Sequence, residues 1–217
     1  MTDKIRVDIV SDVVCPWCII GYKRLEKAIV ELDAQDKIEI NWQPFELNPD
    51  MPKKGENIIE HMNHKYGMSK EQVQSYQTDR KENGKEFGFE YNYYEDMKIV
   101  NTRDAHILLE YASEIGKQHQ LHMRLFSAHF SEAKDISDTE VLINEAKSIG
   151  MNELELLNIL EDSTYKNEIQ EKENYWLRRG VSSVPTMIFN GTMLMNGAYP
   201  METYKQVIAE LIKENNE

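Results

Sequence analysis

The stretch of sequence that decides the fold is VDIVSDVVCPWC, residues 7–18. Apolar and polar residues alternate over residues 5–9, and a period of two predicts a strand. The cysteine pair that follows, Cys15 and Cys18, stands directly before a segment whose apolar residues recur at the spacing of one helix face. Pro16 suits the first turn of that helix, because its missing N–H breaks no hydrogen bond there. The stretch therefore predicts a strand, a cysteine pair and a helix, in that order.

The two ends of the chain carry the clearest strand signals. A second alternating segment over residues 38–42 predicts another strand, so the N-terminal end is typical of a βαβ unit. Near the other end, apolar runs at residues 186–189 and 192–195 flank an Asn-Gly pair, the strongest short signal of a hairpin. Pro200 opens a last amphipathic segment, which predicts a final helix. The C-terminal end is therefore predicted to be ββα.

The sequence between these ends predicts helices. Residues 57–82 predict one helix, and periodic apolar faces with capping residues recur from residue 102 to residue 179. The order βαβ, many helices, ββα predicts one α/β sheet domain that is interrupted by a helical one.

The composition limits the classes of partner. Of the 217 residues, 25 are Lys or Arg and 38 are Asp or Glu, which gives a net charge of −13. Nucleic acids and anionic lipids repel such a chain, so we predict that neither is a partner. No stretch reaches the roughly 18 apolar residues of a membrane span, and charged residues near the start interrupt any signal-peptide core. A count of two cysteines suits a reducing compartment, and we expect a cytoplasmic protein.

The spacing of the cysteines predicts redox chemistry. Two thiols at i and i+3 across a helix start can close a small disulfide, and the unpaired N–H groups there favour a thiolate. We therefore expect Cys15 to attack or be attacked, and Cys18 to be the buried thiol that resolves a mixed disulfide. The sulfur pair itself carries two electrons, so we predict that the protein needs no bound cofactor.

Residues 7–18 resemble the active-site segment of the DsbA-family thioredoxin-like disulfide oxidoreductases, and they are most similar to the FrnE-like branch. The resemblance continues in WQPFELNP at residues 42–49, in Asn101-Thr102 with His106, and in GVSSVP at residues 180–185. It therefore extends over nearly the whole chain.

This resemblance implies a fold, an activity and a set of partners. The fold would be a thioredoxin fold with a large all-helical insertion. Residues 1–47 and 180–217 would form the thioredoxin-like domain, and residues 48–179 would cap the site and select the substrate. The activity would be thiol–disulfide exchange with protein or small-molecule thiols such as glutathione. A homodimer is also expected.

The resemblance gives roles to further residues. Pro185 would be a cis-proline facing the cysteine pair, and Val184 would pair with the backbone of an extended substrate. Trp17 would either contact an apolar substrate or cover the disulfide. Asp8 would be a buried acid that relays a proton from the resolving cysteine, although it is equally typical of a solvated strand residue.

Two other functions compete with this interpretation. Glutathione-dependent isomerases and transferases, related to hydroxychromene-carboxylate isomerase and the kappa-type transferases, share the overall fold. They typically carry a hydroxyl at the first active-site position, whereas this chain keeps both cysteines. The second alternative is a non-catalytic peptide-binding chaperone with a vestigial cysteine pair.

The histidines do not predict a metal site. His61 and His64 form a superficial Cys₂His₂ set with the cysteine pair, but their spacing is wrong for a zinc finger, so we predict no metal. His106 either lines a cleft between the two domains or packs as an ordinary buried histidine. We expect the other three to lie on helix surfaces: His119, His122 and His129.

Overall fold

A four-stranded mixed sheet with helices on both faces forms the centre of the molecule. The computed structural model describes residues 4–215. In chain order its elements are β1 (Ile5–Ser11), α1 (Pro16–Glu31), β2 (Ile38–Pro44), β3 (Glu56–Asn57), α2 (Ile58–Tyr66), α3 (Lys70–Glu86), β4 (Lys98–Ile99), α4 (Arg103–Glu114), α5 (Gln118–Phe130), α6 (Thr139–Ser148), α7 (Glu153–Glu161), α8 (Ser163–Arg178), β5 (Thr186–Phe189), β6 (Met193–Asn196) and α9 (Met201–Glu214).

The strand order β2-β1-β5-β6 joins the two ends of the chain in one sheet. Strand β1 is parallel to β2 and antiparallel to β5, and β5 forms a hairpin with β6. Because β1 is central, all of its residues except Arg6 are buried. Val7 and Ile9 pack in the same cluster as α1 and α9, whereas Val10 packs on Trp176 of α8. The predicted βαβ and ββα units are thus confirmed.

The β5–β6 hairpin turns at the predicted Asn-Gly pair. Asn190 and Gly191 have φ angles of 47° and 70°. Positive φ at both central residues is what a type I′ turn requires, and the Thr192 N–H closes this turn on the Phe189 carbonyl oxygen at 3.1 Å. The turn fixes the register of β5, which in turn pairs with β1 beside the cysteines.

The insertion between β2 and β5 is helical, as predicted, with one addition. Strands β3 and β4 form a short antiparallel sheet inside it, so the all-helical description was incomplete. The single helix predicted over residues 57–82 is two helices, because α2 ends at Gly67 in the left-handed conformation and Ser69 begins α3 with a capping box. Within residues 4–215, every helix is too short or too polar to cross a membrane.

The insertion shares part of its hydrophobic core with the sheet. Tyr91 and two phenylalanines of α5, Phe126 and Phe130, belong to the same buried cluster as Cys15 and Cys18. A second cluster is built mainly from α4, α5, α6 and α7. The insertion therefore packs directly on the part of the sheet domain that contains the cysteine pair. The domain boundaries at residues 47–48 and 179–180 stay a prediction.

Candidate active site

The two cysteines lie at the start of α1, directly after the end of β1. Cys15 is the N-cap residue and Pro16 occupies the first turn. The Cys18 N–H donates to the Cys15 carbonyl oxygen at 3.1 Å. Both side chains carry free thiols, with residue exposures of 4% for Cys15 and 0% for Cys18. The outer thiol is thus the one that a substrate could reach, and the inner thiol lies wholly inside the protein.

The loop before β5 faces the outer thiol. The Val184–Pro185 peptide bond is cis, as predicted. The Cys15 Sγ atom contacts the Val184 carbonyl oxygen at 3.7 Å. Helix α1 approaches this loop at Gly21, where a Cβ atom would lie 3.2 Å from Pro185 Cγ. A glycine at that position therefore allows the helix and the loop to come close together.

A cavity of about 380 Å³ opens beside Cys15. Residues of the sheet domain and of the insertion line it together, and most of them are apolar or aromatic. They are Val14, Cys15, Pro16, Trp17, Leu47, Asn48, Ile58, His61, Met62, Lys65, Tyr66, Met68, Tyr76, Tyr93, Ile99, Phe130 and Val184. The volume is typical of a small-ligand site or of a groove for one side chain of a peptide.

The start of α1 is held in place by the insertion. The buried Tyr91 hydroxyl donates to the Pro16 carbonyl oxygen at 2.7 Å. Burial raises the pKa of Tyr91 far above its usual range, so the phenol stays protonated and remains a donor. This contact connects the insertion directly to the cysteine loop.

Trp17 forms one side of a stack of aromatic and cationic groups. The Arg80 guanidinium carbon lies 3.6 Å from the centre of the Trp17 ring and 4.6 Å from that of Tyr76. Arg80 is 6% exposed, and its Nε and Nη1 atoms have no hydrogen-bond partner among residues 4–215. The sequence does not single out this arginine, because α3 is mostly polar and contains several other charged residues.

The environment of Cys18 favours the protonated thiol. Burial raises the pKa of Cys18 well above its ordinary value, and the neighbouring Cys15 acts in the same direction. A side-chain hydrogen bond with Ser11 and a backbone hydrogen bond at Asp12 oppose this effect. Cys18 therefore holds its proton until a nearby group accepts it.

A buried polar cluster continues from Ser11 into the insertion. Ser11 Oγ lies 3.2 Å from His122 Nε2, and the His122 ring stacks on Trp42 with a centroid distance of 3.9 Å. Burial lowers the pKa of His122 well below its ordinary value, so its ring is neutral. The expectation that His122 and His129 lie on helix surfaces was wrong, since both are buried.

His106 and Asp12 form the second part of this cluster. His106 Nε2 lies 3.4 Å from Asp12 Oδ1, and Asp12 Oδ2 accepts a hydrogen bond from the Leu47 N–H at 2.8 Å. Burial lowers the pKa of His106, but the Asp12 carboxylate outweighs it and keeps the pKa above its ordinary value. His106 is thus a packed histidine that joins α4 to the end of β1.

Asp8 lies away from the cysteines. Its carboxylate accepts hydrogen bonds from Arg6 at 2.7 and 2.9 Å and from Gln43 at 2.9 Å. It lines a different cavity, which shares no lining residue with the one beside Cys15. This placement does not support the proton relay suggested for Asp8, and Ser11 occupies the position beside Cys18 instead.

The two histidines with metal-like spacing contact a carboxylate. His61 Nδ1 and His64 Nδ1 lie 2.8 Å and 2.6 Å from the two oxygens of Glu56. Within the described part of the chain, no group of three or more His, Cys, Asp or Glu side chains is arranged to hold a metal ion. His61 also lines the cavity beside Cys15, where it presents a polar edge.

Comparison with known proteins places this site in a family. An uncharacterized protein of Bacillus subtilis (strain 168), YwbO, is 26% identical over 207 residues, which cover 95% of this chain and 96% of that protein. The crystal structure of the probable DsbA oxidoreductase SCO1869 from Streptomyces coelicolor is similar with a TM-score of 0.91 and 29% identity, over 97% of this chain and 91% of that one.

The same fold occurs in an enzyme of another class. A structure of 2-hydroxychromene-2-carboxylate isomerase is similar with a TM-score of 0.71 and 15% identity, over 97% of this chain and 98% of that one. The fold alone therefore does not decide which chemistry a chain carries out. The sequence profile of the DSBA-like thioredoxin domain matches residues 6–209, which include the cysteine pair, the cis-proline loop and the helical insertion. The chain belongs to the DSBA-like thioredoxin domain family.

Proposed function

We propose that the protein is a thiol–disulfide oxidoreductase that acts through its Cys-Pro-Trp-Cys motif. The observation that carries the proposal is the asymmetry of the pair: Cys15 borders a cavity and Cys18 is fully buried behind it. A pair with one reachable and one enclosed thiol suits sequential exchange, in which one sulfur meets the substrate and the other completes the reaction.

The first step is attack by Cys15. Its thiolate forms a bond to one sulfur of a substrate disulfide, the substrate S–S bond breaks, and the other substrate sulfur leaves as a thiolate that takes up a proton. The product is a mixed disulfide between Cys15 and the remaining substrate sulfur. Cys15 is the N-cap residue of α1 and borders the cavity, so its sulfur is the one that a substrate disulfide meets first.

The second step is attack by Cys18. Its thiol loses a proton and forms a bond to Cys15 Sγ, and the remaining substrate sulfur leaves as a second thiol. Two electrons have then passed from the cysteine pair to the substrate, and the reverse sequence oxidises two substrate thiols. Ser11 and the neutral His122 behind it provide a route by which the Cys18 proton departs.

Substrate binding uses the groups around the outer thiol. The Val184 backbone, next to Pro185, lies beside Cys15 and can pair with an extended peptide. The apolar cavity, with Trp17 on one wall, accepts the side chain or body of the thiol substrate. Glutathione is proposed as a co-substrate, and a cytoplasmic location suits the same chemistry.

Turnover of a neutral disulfide tests the proposal. We expect the wild-type protein to accelerate reduction of bis(2-hydroxyethyl) disulfide by a thiol reductant, Cys15→Ser to abolish the acceleration, and Cys18→Ser to accumulate a mixed disulfide on Cys15 that mass spectrometry detects. Lys85→Gln serves as a control, since Lys85 is an exposed residue of α3 outside the cavity lining. A wild-type rate no higher than that of Cys15→Ser would refute the proposal.

The reduction potential of the cysteine pair then shows whether the protein mainly reduces disulfides or oxidises thiols. A reduction potential of about −270 mV is typical of a reductase, and one of about −120 mV is typical of an oxidant. Equilibration in glutathione buffers, followed by alkylation of the free thiols, measures it. If the protein were instead a glutathione-dependent isomerase, Cys15→Ser would retain the isomerase activity, because such enzymes carry a hydroxyl in place of the thiol at that position.

A further inference from the structure

Arg80 is a buried cation without a counter-ion. Its side chain extends from α3 to the ring of Trp17, which lines the cavity beside Cys15, and its Nε and Nη1 atoms find no hydrogen-bond partner among residues 4–215. The polar group that the guanidinium does approach is the Tyr76 hydroxyl, which burial keeps protonated by raising the pKa of Tyr76 to about 12. Stacking on Trp17 and Tyr76 compensates part of the lost hydration, but it leaves two guanidinium nitrogens without hydrogen-bond partners.

A second unpartnered donor lies at the cavity itself. The Tyr93 hydroxyl is buried and has no hydrogen-bond partner within the described residues. Tyr93 lines the cavity beside Cys15, and the positive charge of Arg80 is close enough to oppose the effect of burial, which raises the pKa of Tyr93. Arg80 and Tyr93 together therefore present unused donors close to the reacting sulfur.

The charge of the cavity has the opposite sign to that of the protein. The chain carries a net charge of −13, yet no described residue that lines the cavity is an aspartate or a glutamate. Lys65 is a second cation at the cavity, where it donates to the Leu47 carbonyl oxygen and to Asn48 Oδ1 at 2.9 Å and 2.7 Å. A cavity that has no carboxylate in its lining, with Lys65 at its edge and Arg80 behind Trp17, offers an anion a favourable site in this acidic protein.

We propose that Arg80 and Tyr93 bind the carboxylate of a small thiol or disulfide substrate and so present its sulfur to Cys15. A carboxylate bound end-on to the guanidinium accepts two parallel hydrogen bonds, from Nη1 and Nη2, and so gives Nη1 its missing partner. The cavity volume of about 380 Å³ is large enough for a small thiol or disulfide substrate. Trp17, which is only partly buried, covers the guanidinium, and the ligand displaces its ring on binding.

This assignment rests on the proposed redox function, since it names the class of substrate for the same site. It goes beyond that function in one respect: it requires the enzyme to discriminate between substrates by their charge. Neither the fold nor the cysteine motif demands such a preference.

Three disulfides of similar size test the assignment. They are 3,3′-dithiodipropionate, which is anionic, bis(2-hydroxyethyl) disulfide, which is neutral, and cystamine, which is cationic. We expect kcat/KM to be highest for the anionic compound and lowest for the cationic one. Arg80→Gln should lower the anionic-to-neutral ratio of kcat/KM about tenfold or more, the fold-change expected when a hydrogen bond to a charged group is lost.

Two further variants make the comparison sharp. Lys85→Gln removes one positive charge from the same helix at an exposed position, and it should leave the ratio at the wild-type value. Arg80→Lys keeps the charge and loses the fork, so its ratio should fall less than that of Arg80→Gln. Arg80→Lys also serves if Arg80→Gln does not fold. A ratio in either Arg80 variant equal to that of wild type would overturn the assignment.

A binding measurement separates this assignment from the redox proposal. S-methylglutathione carries carboxylates but has no reactive sulfur, so calorimetric titration measures its affinity without turnover. We expect it to bind wild type and to bind Arg80→Gln about tenfold more weakly or worse. If the protein reduces no disulfide but this difference remains, the redox proposal fails and the anion site stands. If wild type and Arg80→Gln bind S-methylglutathione equally, or neither binds it, the anion site is wrong.

Discussion

His129 predicts how the stability of the protein depends on pH. The residue is buried in α5 with 3% exposure, and its Nε2 atom has no hydrogen-bond partner among residues 4–215. Burial is the main cause that lowers the pKa of His129 from the ordinary 6.5 to about 4, because the charged ring would lose its hydration. The folded protein therefore holds His129 neutral at pH values where the unfolded chain protonates it.

The sign and size of the effect follow from these two pKa values. The folded pKa lies below the unfolded one, so the stability is fully present above about pH 6.5 and is lost as the pH falls toward about 4. At pH 5 the unfolded chain is almost fully protonated at this position and the folded protein almost unprotonated. The loss from this residue alone is then about 2 kcal/mol relative to pH 7.5.

Urea unfolding of wild type and His129→Gln measures this effect. The glutamine variant has no titrating group at the position, so its free energy of unfolding should fall by about 2 kcal/mol less than that of wild type between pH 7.5 and pH 5. Other titrating groups contribute equally to both proteins and cancel in the difference. Unchanged m-values show that both proteins unfold in the same way. Equal losses in the two proteins would mean that burial does not hold His129 neutral, and the argument would be refuted.

Two other substitutions test contacts of the cysteine loop. Tyr91→Phe removes the hydrogen bond to the Pro16 carbonyl oxygen, so we expect a loss of about 1 kcal/mol and a fall in Tm of about 2–4 °C, measured by thermal unfolding; an unchanged Tm would contradict that role. Ser11→Ala removes the hydroxyl between Cys18 and His122, so the mixed disulfide on Cys15 should resolve about 2- to 10-fold more slowly at neutral pH, with its pH profile displaced upward. Stopped-flow thiol release measures this rate, and a uniform loss of rate at every pH would show that the hydroxyl only supports the structure.

The elements that were predicted correctly are those whose turn or capping residues lie next to each other in the sequence. The Asn-Gly pair at residues 190–191 requires a particular backbone conformation, and the structure has it. Pro16 lies at the start of α1, as predicted, and Asn152 shows a similar local signal, since its side chain caps α7. The break between α2 and α3 also had a local signal, since Ser69-x-x-Gln72 is a capping-box pattern that the helical periodicity of residues 57–82 concealed.

The missed parts of the site depend on contacts between distant segments. His122 is buried because Trp42 of β2 stacks on it from 80 positions away, and no pattern within α5 records that neighbour. Arg80 is one charged residue in a helix of polar residues, and its burial depends on Trp17. Asp8 is the opposite case. The sequence suggested a role for this acid of β1, but in the fold its carboxylate accepts hydrogen bonds from Arg6 and Gln43. Sequence patterns identified the cysteine pair, whereas tertiary packing selected the residues that surround it.

The sheet order also has a consequence for how the chain is made. Strand β1 pairs with β5 through Val7 and Phe189, which are 189 − 7 = 182 residues apart. At about 5–20 residues per second, a ribosome needs about 10–40 s to make the chain between them. During that time the N-terminal βαβ unit, which includes both cysteines, has one open strand edge and no α9 to cover its helix. Both thiols are thus exposed in the nascent chain during that time, and the arrival of β5, β6 and α9 then encloses Cys18 and leaves Cys15 beside the cavity.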